Sequence, residues 1–351
     1  MSILVTGGGG LIGSNIVRLL IEQGREVVLY DRLPPSREGN VLADFMNRIK
    51  IEIGNVADLS HLLHVIKNNK VKGIIHCAAM ITQVATEHPI EALTVNIIGS
   101  ANMLEAARIL ELGRIVLLSS SGAMGGPDDV ITPAKEELVD LPLTSIYNLT
   151  KLAEEQLVYI YRQIYKVDTI AIRPRNVYGP GERRHYTVPT SEPISDASAG
   201  KPIVRMGHGH PVPTYELVAE ALAGRPIVRK TGGDAVFDLT YVKDTAKGII
   251  QAYDCKSPNF HIYNISSGKA TKMSEVCDVL KGLFPKLRIE VGPGPWDNVL
   301  SRGRQTDMNY RSMQRPPQDI TRARKDFGFE PEYDIKRGIT AWIRWFKEGK
   351  Y

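Results

Sequence analysis

Apolar and polar positions follow two distinct periods along the first half of the chain. Short apolar runs bounded by turn residues predict strands at Ser2–Val5, Glu26–Tyr30, Gly73–Cys77, Arg114–Ser119 and Thr169–Arg173, the second of them buried, and the alternation of Arg48–Ile53 predicts another. Between them apolar residues recur at helical spacing, which predicts helices over Leu11–Gln23, Leu59–Lys67, Pro89–Leu112 and Ile146–Tyr165, with Gly24 suited to close the first. Strands separated by helices of this length pair in parallel through right-handed crossovers. The expected fold class is therefore α/β, a doubly wound parallel sheet.

The pattern loosens after Arg173, where Pro and Gly become frequent. A domain change is expected near residue 175, dividing the chain into 1–175 and 176–351. The second part predicts helices over Tyr215–Ala223, Val242–Ala252, Ser274–Phe284 and Ile335–Lys347. It predicts short strands at Phe237–Tyr241, His261–Ile265 and Arg288–Val291, hence a smaller mixed α/β lobe, with segments such as 237–265 packing back on the first part. Residues 188–205 (VPTSEPISDASAGKPIVR) and 212–229 (VPTYELVAEALAGRPIVR) align without gaps and agree at eleven of eighteen positions, a tandem duplication. The second copy keeps helical character. The first, with Pro193 and Ser195 at matching places, reads as an inserted loop near 188–211, either a solvated decoration or a lid or dimer contact.

Composition narrows the class only slightly. The 351 residues are 43% hydrophobic and 24% charged, an ordinary globular mixture with room for two domains. No apolar run approaches a membrane span, and the opening MSILVTGGGG lacks the basic start of a secretory signal. The net charge of +5, without any Lys/Arg block, argues against a nucleic-acid partner. Cys77, Cys255 and Cys277 are scattered, so no disulfide framework or zinc site is expected, and a reducing cytoplasm is the expected location. His208-Gly-His210 reads as a surface pair rather than a metal site, and Trp342, Trp345 and Phe346 as core. The acidic pairs Glu136-Glu137 and Glu154-Glu155 read as solvated faces.

Two constellations carry chemistry. Gly7, Gly10 and Gly13 follow a strand and open a helix, the context in which a glycine turn cradles a dinucleotide pyrophosphate. Asp31, at the end of the second strand, is placed to accept the adenosine ribose hydroxyls. A carboxylate there disfavours a 2′-phosphate, so NAD is expected over NADP, although Arg32 beside it could accommodate one. Tyr147 and Lys151 stand at i and i+4 on one helix face, after a strand that ends in Ser119-Ser120-Ser121. An ammonium next to a phenol favours the phenolate, which then exchanges a proton with a secondary alcohol while a serine hydroxyl holds the substrate oxygen.

With these residues the chain resembles an extended short-chain dehydrogenase/reductase of the NAD-dependent epimerase/dehydratase family, which includes UDP-sugar 4-epimerases. The likeness extends over essentially the whole chain apart from the duplicated segment. Thr6–Gly13 resembles the family TGxxGxxG turn, Gly54–Asp58 its GDxxD segment with Asn55 at the first acid, and His76–Ala79 its HxAA. Asn96 with Gly99 resembles NxxGT, and Arg173–Pro180 resembles RxxNVYGP. The resemblance implies a Rossmann-like sheet and a catalytic set of Ser121, Tyr147 and Lys151, with Ser120 in reserve. It implies cofactor contacts from Leu11, Ile12, Asn55, Val56, Ala78, Ala79 and Asn96 as well, with Lys151 on the nicotinamide ribose. Thr82, Asn176, Phe237 and Arg302 are the implied substrate contacts beside Ser121. It also implies a homodimer through helices 96–112 and 147–165.

Two departures concern the substrate. Met124-Gly125-Gly126 stands where the family has Val-Tyr-Gly. Phe237 stands where sugar-nucleotide members carry the arginine that grips the diphosphate, which leaves Arg302, Arg304 and Arg311 as candidate cations. The stretch Asp238–Val242 also resembles the hydroxysteroid-dehydrogenase branch. The leading expectation is a nucleotide-sugar epimerase. A dehydrogenase or reductase of a non-nucleotide alcohol and a non-catalytic NAD-binding module are the alternatives; a dehydratase is disfavoured because no acid pair follows the serine.

Overall fold

The structure, a computed structural model, describes residues 2–35, 41–125, 133–139, 142–143, 145–181, 213–296 and 317–348. β1 (Ser2–Thr6) leads into α1 (Leu11–Glu22), β2 (Val27–Asp31) and β3 (Lys50–Ile53). Next come α2 (Leu59–Asn68), β4 (Val71–His76), α3 (Thr82–Glu87), α4 (Pro89–Ala92), α5 (Gly99–Ile109), β5 (Ile115–Leu118), α6 (Ile146–Gln163) and β6 (Thr169–Pro174). The later part holds β7 (Val177–Tyr178), α7 (Pro213–Leu222), β8 (Ile227–Arg229), β9 (Val236–Phe237), β10 (Thr240–Tyr241), α8 (Val242–Asp254), β11 (Ile262–Ile265), β12 (Thr271–Lys272), α9 (Met273–Leu283), β13 (Ile289–Val291), α10 (Thr321–Phe327) and α11 (Ile335–Glu348).

Seven strands form one parallel sheet in the order β11-β6-β5-β4-β1-β2-β3. The period of two decides which face each residue serves. Ile3, Val5, Val27 and Leu29 join one apolar cluster, while Leu4, Val28 and Tyr30 join the other. The first cluster continues without interruption into the later part, through Leu217, Val276, Leu280 and Trp342. The chain leaves β1 toward β2 on one side and resumes at β4 on the other. This reversal of strand order opens a crevice at the carboxyl ends of β1 and β4, the usual ligand position in such sheets. No helix among the described residues is long and apolar enough to cross a membrane.

Several expected elements take a different form. The helix expected over Pro89–Leu112 holds its course but contains a π turn at Leu93–Ile98, and α3 precedes it unforeseen. The strand expected over Phe237–Tyr241 is split into β9 and β10 because Asp238 is drawn inside. Its carboxylate accepts from the Ser266 and Ser267 hydroxyls and from the Ser267 and Gln318 amides. Glu136, Glu154 and Glu155 are buried rather than solvated, at 5%, 1% and 0% exposure. Each has a partner that replaces water: the Asn264 amide for Glu136, Lys151 for Glu154 and Arg173 for Glu155. The second copy of the duplication supplies α7 and β8, whereas the first lies outside the described residues.

Candidate active site

The turn between β1 and α1 has no room for side chains. Gly7 adopts φ +62°, donates its amide to Tyr30 O at 2.9 Å and accepts from the Gly10 amide at 2.9 Å. A Cβ on Gly7 would lie 2.6 Å from the Ala78 amide nitrogen, and one on Gly13 would overlap the Gly7 carbonyl. Among the described residues no side chain caps α1, whose N-cap is Gly10. An uncapped amino end behind a closely packed turn fits the pyrophosphate of a dinucleotide. Asp31 sits at the end of β2, and its Oδ2 accepts from the Gly9 amide at 3.0 Å, which holds the carboxylate beside the turn.

Ala78 lies against this turn and Leu11 and Ile12 follow it, and these three and Ala79 are each partly exposed. Val56 is buried against Gly99. Asn55 is exposed, with Oδ1 accepting from the Ala57 amide at 3.0 Å. Arg32 points into solvent, 3.8 Å from the Glu91 carboxylate.

The three serines after β5 have separate duties. Ser119 is buried and donates to Glu155 Oε1 at 2.6 Å. Ser120 accepts from the Gly122 amide at 3.0 Å and so starts the short 3-10 turn Ser121–Met124. Ser121 is half-buried, and its hydroxyl has no hydrogen-bond partner among the described residues. This turn lies against the first turn of α6, because a Cβ on Gly122 would overlap Asn148 Oδ1. The serine loop and Tyr147 are thereby brought together. Ser145 caps α6, accepting from the Asn148 amide at 3.1 Å.

Tyr147 packs against Met80, Ala85 and Ala92. One turn later the Lys151 ammonium lies 5.7 Å from its ring centroid. Lys151 is buried, with Nζ donating to Leu118 O at 2.8 Å and to the two Glu154 oxygens at 3.1 and 3.0 Å. Burial pulls the lysine down, but the Glu154 charge, Tyr147, the Glu154 hydrogen bond and Cys77 outweigh it and raise the group above an ordinary lysine. It stays an ammonium. Beneath it, Glu155 and Arg173 form a bidentate pair at 2.6 and 2.7 Å, both fully buried, which ties α6 to β6. His76, at the end of β4, bonds Thr6 Oγ1 through Nδ1 at 2.6 Å and Ser100 Oγ through Nε2 at 3.1 Å. Burial, with Lys151 nearby, pushes it down to about 3, so it remains neutral.

Two of the expected contacts are buried. Asn96, expected at the cofactor, is fully buried. Its Oδ1 accepts from the Met80 amide at 2.8 Å, and its Nδ2 donates to Met80 O at 3.0 Å and Thr150 Oγ1 at 2.9 Å. The π turn around it aims this amide at the loop after β4, which it clamps to α6. Phe237, expected at the substrate, is 6% exposed and part of the apolar core, where a phenyl ring is more stable than in a polar cleft. Asn176 is half-buried at φ +37°, with Nδ2 donating to Asp238 O at 3.2 Å. Thr82 is partly exposed at the start of α3. Arg302, Arg304, Arg311, His208 and His210 lie outside the described residues.

The buried acids of α6 and their partner Arg173 escape a reading of charge alone. Their signal is positional: Tyr147, Lys151, Glu154, Glu155 and Val158 recur at helical spacing on the face turned inward.

A family model described as the NAD dependent epimerase/dehydratase family matches residues 3–266. The UDP-glucose 4-epimerase of Mycolicibacterium smegmatis is 28% identical, covering 99% of this chain and 99% of its own. Among solved structures, the UDP-glucose 4-epimerase of Thermotoga maritima, solved with UDP-glucose, superposes with a TM-score of 0.77. It is 23% identical and covers 99% of both chains. The UDP-glucose 4-epimerase of Thermus thermophilus, solved with NAD, has a TM-score of 0.74 at 22% identity and covers 100% of both chains.

Proposed function

The chain belongs to the NAD dependent epimerase/dehydratase family, and from that premise we propose that it is a nucleotide-sugar 4-epimerase acting on a substrate of the UDP-glucose or UDP-glucuronate class. The observation that carries the reading is the buried Lys151 ammonium beside Tyr147, with the uncommitted Ser121 hydroxyl on the adjoining turn. Relatives of that activity span the whole chain, which supports the substrate class.

In this reading Gly7, Gly10 and Gly13 receive the NAD pyrophosphate and Asp31 the adenosine ribose, with Leu11, Ile12, Ala78 and Ala79 alongside. NAD, when bound, supplies the reversible oxidant. Tyr147 takes the proton of the sugar hydroxyl and later returns it, with the Lys151 ammonium 5.7 Å from its ring. Ser121 holds the reacting oxygen. Residues 1–175 serve mainly the cofactor and 176–351 mainly the substrate, with β11 given back to the sheet. The free thiols of Cys77, Cys255 and Cys277 suit a reducing cytoplasm. Ile98 and Ile109, with Leu149, Ile160 and Ile164, leave an apolar surface on α6 and on the helix ending in α5. This surface supports a homodimer.

Tyr147→Phe tests the reading. It is expected to keep NAD affinity by calorimetry and to lower conversion of UDP-glucose to its 4-epimer by roughly 10²–10⁴-fold. Unchanged turnover would overturn the assignment. Net accumulation of reduced cofactor without epimer would replace it with a dehydrogenase.

A further inference from the structure

Glu154 has one hydrogen-bond partner for its carboxylate among the described residues, and that partner is Lys151. The pair is almost fully out of water, with side chains at 4% and 1% exposure. Tyr147, Lys151 and Glu154 follow one another along the inward face of α6. A phenol ionises more readily the greater the net positive charge near it. An ionised Glu154, 3.0 Å from the ammonium, opposes its field at Tyr147, whereas a protonated Glu154 does not.

The surroundings narrow the source of any charge change. On α6, Glu155 is balanced by Arg173 of β6. At the end of β4, burial holds His76 neutral and raises the Cys77 thiol far above its ordinary range, so neither changes charge near neutrality. Lys151 itself stays protonated. Glu154 differs: burial, opposed by Lys151, pushes its carboxyl up to about 7.

We propose that Glu154 is a positioning residue for the Tyr147–Lys151 pair, pinning the ammonium against the Leu118 carbonyl and setting, through its own charge, how readily Tyr147 releases its proton. This rests on the reading of Tyr147 as the acid–base group. It predicts a definite sign. Above neutrality the ionised carboxylate makes the phenol harder to ionise, and removing that charge makes it easier.

The test uses NAD-loaded protein without substrate. The Tyr147 phenol is titrated by ultraviolet difference spectroscopy, with Tyr147→Phe in the same background as the blank. Glu154→Gln, and independently the apolar Glu154→Met, should each lower the midpoint by about one pH unit. With substrate, the acid limb of kcat should move in the same direction, a shift that loss of packing alone does not produce. A midpoint unmoved in a variant that still binds NAD and keeps its Tm overturns the proposal, whatever the activity. A shifted midpoint in a protein that forms no epimer sustains it and overturns the substrate reading instead.

Discussion

At Gly13 the space available is smaller than a methyl group, and at Gly7 the backbone bends into the left-handed region. The dinucleotide reading depends on these two positions and on one carboxylate. Asp31 holds the Gly9 amide beside the turn, and the proposed role of its carboxylate is to receive the adenosine ribose. Asp31→Ala removes a charge-assisted hydrogen bond of about 1.5–3 kcal/mol. It is expected to weaken NAD binding roughly tenfold or more and NADP binding less, as measured by calorimetry with both cofactors. Equal losses would remove the basis for NAD preference. The single-residue features were unevenly legible. Gly7, Gly10, Gly13, Tyr147 and Lys151 announce themselves because few other arrangements require those residue types at those spacings. For Asn96 and Phe237 a motif position names a neighbourhood, while burial and hydrogen bonding decide which way the side chain turns, and the structure holds both in buried places.

α6 joins the site to the core. Its outer face is apolar and partly exposed, and its inner face carries Thr150, Lys151, Glu154, Glu155 and Val158. A polar buried face holds only where each group is matched, and the Glu155–Arg173 pair is the deepest match. Arg173→Met leaves the Glu155 carboxylate buried beside Ser119 alone. It is expected to cost about 3–5 kcal/mol in chemical denaturation. Adding Glu155→Gln should recover a large part of that loss, because the stranded charge disappears. Most strands and helices of the first half were legible from periodicity alone, since the inner strands β1, β2, β4, β5 and β6 serve two apolar faces, while the edge strand β3 is partly exposed. α3 was not, because Thr82–Glu87 is too short to show a period. The break between β9 and β10 was hidden for a different reason: Asp238 is committed to serines almost thirty residues later and to Gln318.

Across the whole molecule, one apolar cluster runs from β1 and α1 to Trp342 of α11. The cofactor crevice and the later part therefore share a core, and the two should melt in one transition. The opposite flank is unfinished, with Ile98 at 50%, Ile160 at 40% and Ile164 at 65% exposure. Replacing Ile160 and Ile164 with Lys is expected to yield a monomer by sedimentation velocity with its circular dichroism unchanged. A wild type that is already monomeric would refute the dimer.

The far edge of the sheet carries a consequence for synthesis. β6 finds its outer neighbour only in β11, almost ninety residues downstream. During translation the backbone of Thr169–Pro174 leaves the ribosome with one row of amides and carbonyls unmatched. It stays so until Ile262–Ile265 emerges. A nascent chain paused between these points would hold a nearly complete nucleotide fold with an adhesive border, the stage at which chaperone cover has the most to protect.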